Sequence, residues 1–193
     1  MERASAIEED GELLRRAAGG DAAAVRRFLD EVGPVVYGFV FARVGGHAAT
    51  ADDLVQETLL EAVRSAPGFR GESALTTWVC TIARRRLARH YERERRQEVA
   101  RQGLRLVAGG ELADGGGDDD RGGSEVDQRD EVVRALGRLS PLHRQVLVLK
   151  YLDNRSVAEI ATELGRSRVQ VQSLLQRARS ALRRQMEDTD DAG

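Results

Sequence analysis

A chain of 193 residues with one cysteine, Cys80, has no internal disulfide framework and no cysteine-rich metal centre. Aromatic residues make up only 4% of it and strand formers are scarce, while Ala, Leu, Arg and Glu dominate, so an all-helical protein is expected. The net charge of −2 conceals segregation: residues 1–73 carry −5, 74–107 carry +6, 108–131 carry −7, 132–186 carry +8 and 187–193 carry −4. Two basic blocks parted by an acidic one suit a polyanionic partner, or else acid and base screening one another. His47, His90 and His143 are scattered, so neither a metal nor a cofactor is expected. The first residues, MERASAIEED, lack the apolar run of a signal peptide or a membrane span, and a cytoplasmic protein follows.

In chain order, residues 8–18 read as a short helix with Leu13 and Leu14 inward, closed by Gly19-Gly20. Asp21 is a candidate N-cap for a second helix whose apolar face is Val25, Phe28, Leu29 and Val32. Gly33-Pro34 should interrupt or kink it. Helix resumes over Val35–Val44, with Val36, Tyr37, Phe39, Val40 and Phe41 as packing, and Gly45-Gly46 closes it. Thr50 or Asp52 then caps ADDLVQETLLEAVRSA. Leu54, Val55, Leu59 and Ala62 or Val63 form its buried stripe, and Asp53, Glu57 and Glu61 a ridge at i, i+4 and i+8. A solvated helix face or a dock for a basic partner would both look like this.

Pro67-Gly68 breaks the chain, and the loop Phe69-Arg70-Gly71-Glu72-Ser73 leads into the next helix, with Ser73 or Glu72 contributing to its cap. In Leu75–Arg96 the apolar residues Leu75, Trp78, Val79 and Ile82 recur at i, i+3, i+4 and i+7. Arg84, Arg85, Arg86, Arg89, Arg93, Arg95 and Arg96 follow. Such a helix anchors at one end and offers guanidinium groups at the other, suited to phosphates and base edges. A core helix with a solvated Arg tail is the plainer alternative.

Residues 99–127 are rich in Gly and Asp and poor in apolar side chains, and read as a flexible linker. Beyond it, Val132, Val133, Leu136 and Leu139 mark one amphipathic helix. Ser140-Pro141, a cap followed by proline at the first helical position, opens the next, carrying Leu142, Val146, Leu147 and Leu149. Ser156 starts SVAEIATEL, Gly165-Arg166-Ser167 is a tight turn, and Arg168–Met186 is a long helix. Two helices joined by a short Gly turn describe a helix-turn-helix, with Ala158, Ile160, Ala161, Leu164, Val171 and Leu175 as its small core. The second helix would expose Arg168, Gln170, Gln172, Ser173, Gln176, Arg177 and Arg179, side chains that suit bases and phosphates.

The stretch AADDLVQETLLEAVRSAPGFRGESALTTWVCTIARRRLARHYERERR resembles the second conserved region of bacterial RNA polymerase sigma factors of the sigma-70 family. More narrowly it resembles the extracytoplasmic-function (ECF) group. ALGRLSPLHRQVLVLKYLDNRSVAEIATELGRSRVQVQSLLQRARSALRR resembles the fourth region of the same group. The resemblance implies two small helical domains, 1–98 and 128–193, joined by an acidic linker over 99–127. It implies that Asp52, Asp53, Leu54, Val55, Gln56, Glu57 and Glu61 dock on the clamp helices of the polymerase's largest subunit.

By the same resemblance, the loop Phe69, Arg70, Gly71, Glu72, Ser73 through Thr76 captures a flipped base of the minus-ten element. Trp78, Arg84, Arg85 and Arg89 help to melt and hold the nontemplate strand. Ser167, Arg168, Gln172, Ser173, Gln176, Arg177 and Arg179 read the minus-35 element in the major groove. Core polymerase, promoter DNA and an anti-sigma factor are the implied partners. Arg85 and Arg89 stand where the family often has Asn and Asp, and Gln172 and Leu174 where a basic pair is common. The implied function is transcription initiation without catalytic residues. A DNA-binding regulator that never joins polymerase has no need of the ridge, and a helical nuclease lacks its carboxylate cluster.

Overall fold

The computed structural model describes residues 2–108 and 127–190, with side chains over 7–101 and 131–187. Among the described residues there are eight α-helices and no strand. They are α1 (Glu2–Ala18), α2 (Ala22–Arg43), α3 (Ala48–Arg64), α4 (Leu75–Ala108), α5 (Asp127–Gly137), α6 (Pro141–Leu147), α7 (Val157–Leu164) and α8 (Arg168–Asp190). A 3-10 turn occupies Ala66–Gly68 and a π-helical turn Val148–Leu152. No helix among the described residues is long and apolar enough to cross a membrane. Contacts divide the chain into two units: residues up to Ala42 with Ala48–Arg89, and Arg43–His47 with residues from His90 onward.

In the first unit the core is contributed by all four helices. Leu14 of α1, Phe28, Val32, Val36 and Val40 of α2, Leu54 of α3, and Leu75 and Val79 of α4 are at most 2% exposed. α1 begins six residues before the expected start. Asp21 does cap α2: its Oδ1 accepts from the backbone N–H groups of Ala23 and Ala24 at 2.9 and 3.2 Å. Leu29, expected on the buried face, is 45% exposed, and Ala24 is buried instead.

Gly33-Pro34, expected to interrupt or kink the helix, does not interrupt it, and α2 runs through Pro34. The buried stripe Phe28–Val32–Val36–Val40 is continuous across it, and Pro34 lies on the exposed side. There the carbonyl it leaves unbonded can turn to solvent. Neither Thr50 nor Asp52 caps α3, because the helix already starts at Ala48 and both lie inside it. Its buried positions are Ala51, Leu54, Thr58 and Ala62, while Val55 and Leu59 are half-buried. Thr58 is tolerated in this core because its hydroxyl donates to the Leu54 carbonyl at 2.6 Å.

α4 continues to Ala108, through the first part of the stretch expected to be linker. Glu92 pairs with Arg95 at 2.6 Å and Arg96 at 3.0 Å, so pairs three and four residues apart sustain the helix where apolar residues thin out. The rest of the expected linker, 109–126, lies outside the described residues.

The second unit buries Leu136 and Leu139, Val146, Leu147 and Leu149, Ile160 and Leu164, and Val171, Leu174, Leu175 and Ala178 in one cluster. Val132, expected in it, is 37% exposed, and Ala135 is buried in its place. Pro141 opens α6 as expected, but Ser140 makes no side-chain cap. α7 is closed at both ends. The Ser156 N–H donates to Glu159 Oε2 at 2.8 Å and the Glu159 N–H to Ser156 Oγ at 3.2 Å, a reciprocal capping box. At the other end Gly165, φ 61°, takes the left-handed conformation. The Arg166 N–H then returns to the Ala161 carbonyl at 2.9 Å. This turn sets the angle between α7 and α8.

Two outcomes are expected. Replacing Pro34 by Ala restores a helical hydrogen bond and should raise unfolding stability in urea by about 1 to 3 kcal/mol. Glu159 is held down at about 2, first by the Ser156 backbone N–H, then by the Ser156 hydroxyl and Arg155. A carboxylate depressed in the folded state stabilises above its unfolded value and loses that contribution as pH falls towards its folded one. Thermal unfolding of wild type and Glu159→Gln should therefore differ at neutral pH and converge between pH 4.5 and about 2.

Candidate nucleic-acid interface

Three surfaces carry the residues singled out in the sequence. On α3, Asp52, Asp53 and Gln56 are exposed, and Glu57, Glu61 and Val55 are half-buried. Leu54 is 2% exposed, so it seats the helix in the core and presents nothing outward. The ridge is not uniform. Arg86 of α4 donates through Nε to Glu61 at 2.6 Å and through one terminal nitrogen to Glu57 at 2.8 Å. Its other terminal nitrogen lies 2.6 Å from Glu61. One guanidinium therefore spans two carboxylates a helical turn apart, and the ridge divides into the exposed Asp53 and a clamped pair, Glu57 and Glu61. The sequence placed Arg86 among the basic residues of its helix and did not reveal this link, which joins residues 25 and 29 positions apart.

The second surface begins where the 3-10 turn ends at Phe69. The rings of Phe69 and Trp78 meet edge to face at 5.4 Å between centroids and 65° between planes. Trp78, expected in the apolar stripe, is only half-buried; the stripe is Leu75, Val79, Ile82, Ala83 and Leu87. Arg70 and Glu72 are exposed, and Gly71, Ser73 and Thr76 half-exposed. Gly71 has a φ of 68°, a conformation that favours glycine.

The expected cap of α4 is not there: the Ser73 hydroxyl donates to the Ala74 carbonyl at 3.4 Å, and Glu72 caps nothing. The Leu75 N–H instead donates to Asp10 Oδ2 of α1 at 2.9 Å. On the outward side of α4, Arg84, Arg85 and Arg89 are exposed. The Arg84 guanidinium sits 5.1 Å from the centre of the Phe39 ring. Thr77 and Thr81 share this outward stripe, at the i and i+4 spacing that leads to Arg84 and Arg85. They were legible from that spacing but not singled out.

The third surface is α8. Ser167, Arg168, Gln170, Gln172, Ser173, Gln176, Arg177 and Arg179 are all exposed, as expected. Not all are equally available. The Ser167 N–H donates to Gln170 Oε1 at 2.8 Å and the Gln170 N–H to Ser167 Oγ at 3.2 Å, a second capping box that fixes the start of the helix. Arg179 donates to the Tyr151 hydroxyl at 2.7 Å and its guanidinium lies 5.7 Å from the Tyr151 ring centre.

Leu174 is 3% exposed, so this position, where the resemblance implies half of a basic pair, is a packing position in this chain. Beside this face a hollow of about 340 Å³ is lined by His143, Gln176, Arg177, Ser180 and Arg184. Burial, then Arg177 and Arg184, push the His143 imidazole below its ordinary value. The hollow's positive charge therefore comes from its two guanidinium groups.

Comparison with known proteins agrees with both blocks. A family model described as Sigma-70 region 2 matches residues 28–97, and one described as Sigma-70, region 4 matches residues 129–182. Over 190 residues the chain is 32% identical to the ECF RNA polymerase sigma factor BldN of Streptomyces coelicolor, covering 92% of this chain and 66% of that one. It is 38% identical over 158 residues to the ECF RNA polymerase sigma factor SigG of Mycobacterium tuberculosis, covering 72% of this chain and 43% of that one. The chain thus spans about two thirds of BldN and less than half of SigG. It is 34% identical over 178 residues to SigL of M. tuberculosis, also an ECF RNA polymerase sigma factor, and covers 91% of it and 86% of itself.

Among solved structures, the RsbN–BldN complex aligns with a TM-score of 0.36 at 27% identity, covering 89% of this chain and 97% of that one. The sigma factor RpoE of Bartonella quintana, in complex with the anti-sigma factor NepR, aligns with a TM-score of 0.45 at 22% identity, covering 84% and 96%. With both regions matched in order and SigL similar over nearly its whole length, the chain belongs to the sigma-70 family of RNA polymerase sigma factors, in its extracytoplasmic-function group.

Proposed function

We propose that this chain binds core RNA polymerase and directs it to promoters. In this reading α3 docks on the polymerase, the Phe69–Thr76 loop with Trp78, Arg84, Arg85 and Arg89 captures and holds melted minus-ten DNA, and α8 reads the minus-35 element. The polymerase makes the phosphodiester bonds and the chain supplies recognition. One observation supports the reading best: an acidic helix face and two basic, DNA-suited faces occur in one chain. A DNA-only regulator has use for the basic faces alone.

The geometry refines the roles. Asp52 and Asp53 are exposed for a basic partner, whereas Glu57 and Glu61 are shared with Arg86. On α8, Arg168, Gln172, Ser173 and Gln176 are the side chains best placed for base edges, because Ser167 and Gln170 hold one another. Arg177 and Arg179 suit phosphates. An anti-sigma factor as inhibitor belongs to the same reading, on the strength of the family.

Run-off transcription with purified core polymerase on a panel of promoters tests the proposal. A promoter-specific product is expected; neither a specific product nor core binding would sink it. Asp53→Arg should lower core affinity about tenfold or more with an unchanged thermal midpoint, through charge reversal at an exposed contact. Glu57→Arg should weaken core binding too and leave the DNA contacts of α8 intact. Glu61→Gln should instead cost about 1 kcal/mol of stability by loosening a partly exposed ion pair.

On DNA, Arg177→Ala should weaken binding evenly across sequences and reduce the salt slope by about one unit. Gln172→Ala should relax preference at one base position, at about 1 to 3 kcal/mol. Binding titrations against salt and sequence separate the two.

A further inference from the structure

We propose that Asp10 of α1 is a positioning residue for the minus-ten loop, so that part of the base preference is set outside the conserved second region. The inference rests on the reading of Phe69–Thr76 as the base-capturing loop. The family model for that region begins at residue 28, and α1 lies wholly before it.

Three contacts tie α1 to the loop. Asp10 Oδ2 accepts the Leu75 N–H at 2.9 Å, across 65 residues of sequence. The residue before α4 is Ala74, which has no side-chain acceptor, and the Ser73 hydroxyl is turned to a carbonyl. α4 therefore takes its cap from another helix. Next, Gly11 lies beside the Phe69 ring: an added Cβ would stand 3.9 Å from it, at ordinary van der Waals distance. Finally, Ile7 covers Gly71: a Cβ there would stand 2.7 Å from the Ile7 methyl Cγ2. One turn of α1 thus touches the loop at its start, its left-handed bend and its exit into α4.

The logic is geometric. A pocket for an unstacked base needs its walls held to a fraction of an ångström. The loop makes few hydrogen bonds of its own, and glycine at the Gly71 bend leaves the backbone free to move unless neighbours hold it. Asp10 fixes the point at which the loop becomes helix. Losing the carboxylate frees the first turn of α4 and lets the loop drift from Phe69 and Trp78. The site would still bind single-stranded DNA through its arginines and would lose discrimination among bases.

The test uses holoenzyme assembled from core polymerase and the full chain, in wild-type, Asp10→Ala, Asp10→Asn and Ile7→Ala forms. Each selects from a pool of single-stranded DNA with a short randomised segment, and the bound fraction is sequenced. Core affinity and thermal midpoint are measured alongside. Wild type should enrich particular bases. Asp10→Ala should lower the ratio of best to worst base about fivefold, the scale of one lost helix cap. Asp10→Asn, whose amide oxygen still accepts the Leu75 N–H, should keep the ratio.

Ile7→Ala leaves the cap in place and should lower the ratio in the same direction, which keeps the proposal testable if Asp10→Ala fails to fold. Core affinity should stay constant throughout. An unchanged base preference in Asp10→Ala, or in Ile7→Ala where Asp10→Ala does not assemble, overturns the proposal even if the midpoint falls, since Asp10 would then be merely structural. A wild type that enriches no base overturns the underlying reading of the loop, a failure visible in the wild-type arm alone.

Discussion

The apolar stripe of α4 constrains everything in the first unit. Leu75, Val79, Ile82, Ala83 and Leu87 are almost wholly buried. Once that stripe faces the other three helices, the direction of every other side chain on α4 follows from the helical repeat. Arg84, Arg85 and Arg89 point away from the core, and Arg86 is turned sideways onto α3. Burial of five apolar side chains thus sorts four arginines into two jobs. Three form an outward basic surface, and one locks the acidic ridge of the neighbouring helix. The association of the two candidate binding faces is a consequence of packing.

Most of the fold could be read from local pattern. Helix existence, the Asp21 cap, the Ser156 start and the Gly165 turn all depend on neighbours within four residues, and all appear as the pattern implied. The failures have physical causes of the opposite kind. Of the two outcomes expected at Pro34, an interruption or a kink, the interruption does not occur: the stripe on the far side of α2 outweighs the one bond that proline removes. Leu29 and Val132 look like core residues by type but fall on faces with no helix against them. Leu54 was placed both in the buried stripe of α3 and, by its motif, among the docking residues, and the helical repeat turns it inward. The Asp10 cap and the Arg86 clamp connect residues far apart in sequence, and no local pattern shows such pairs.

The candidate site was legible in residue type and less so in availability. Every polar residue chosen on α8 is exposed, but exposure is not freedom to bind. Ser167 and Gln170 are engaged in holding the helix start, and Arg179 is braced on Tyr151. Such internal bonds reduce the conformational freedom to be lost when DNA binds. On the proposed reading they also narrow the set of side chains that would read bases. Through this one bond the π-helical turn that carries Tyr151 is tied to the exposed face of α8.

Trp78 has a further consequence. It is the chain's only tryptophan, and it stands half-buried against Phe69 beside the outward Thr and Arg stripe. Its emission therefore originates at one place, the first turn of α4 against the loop through which the first unit would meet an unstacked base. A base stacking there would change the polarity around the indole and quench it. On the proposed reading, the indole would report capture of single-stranded DNA by this chain without an added label.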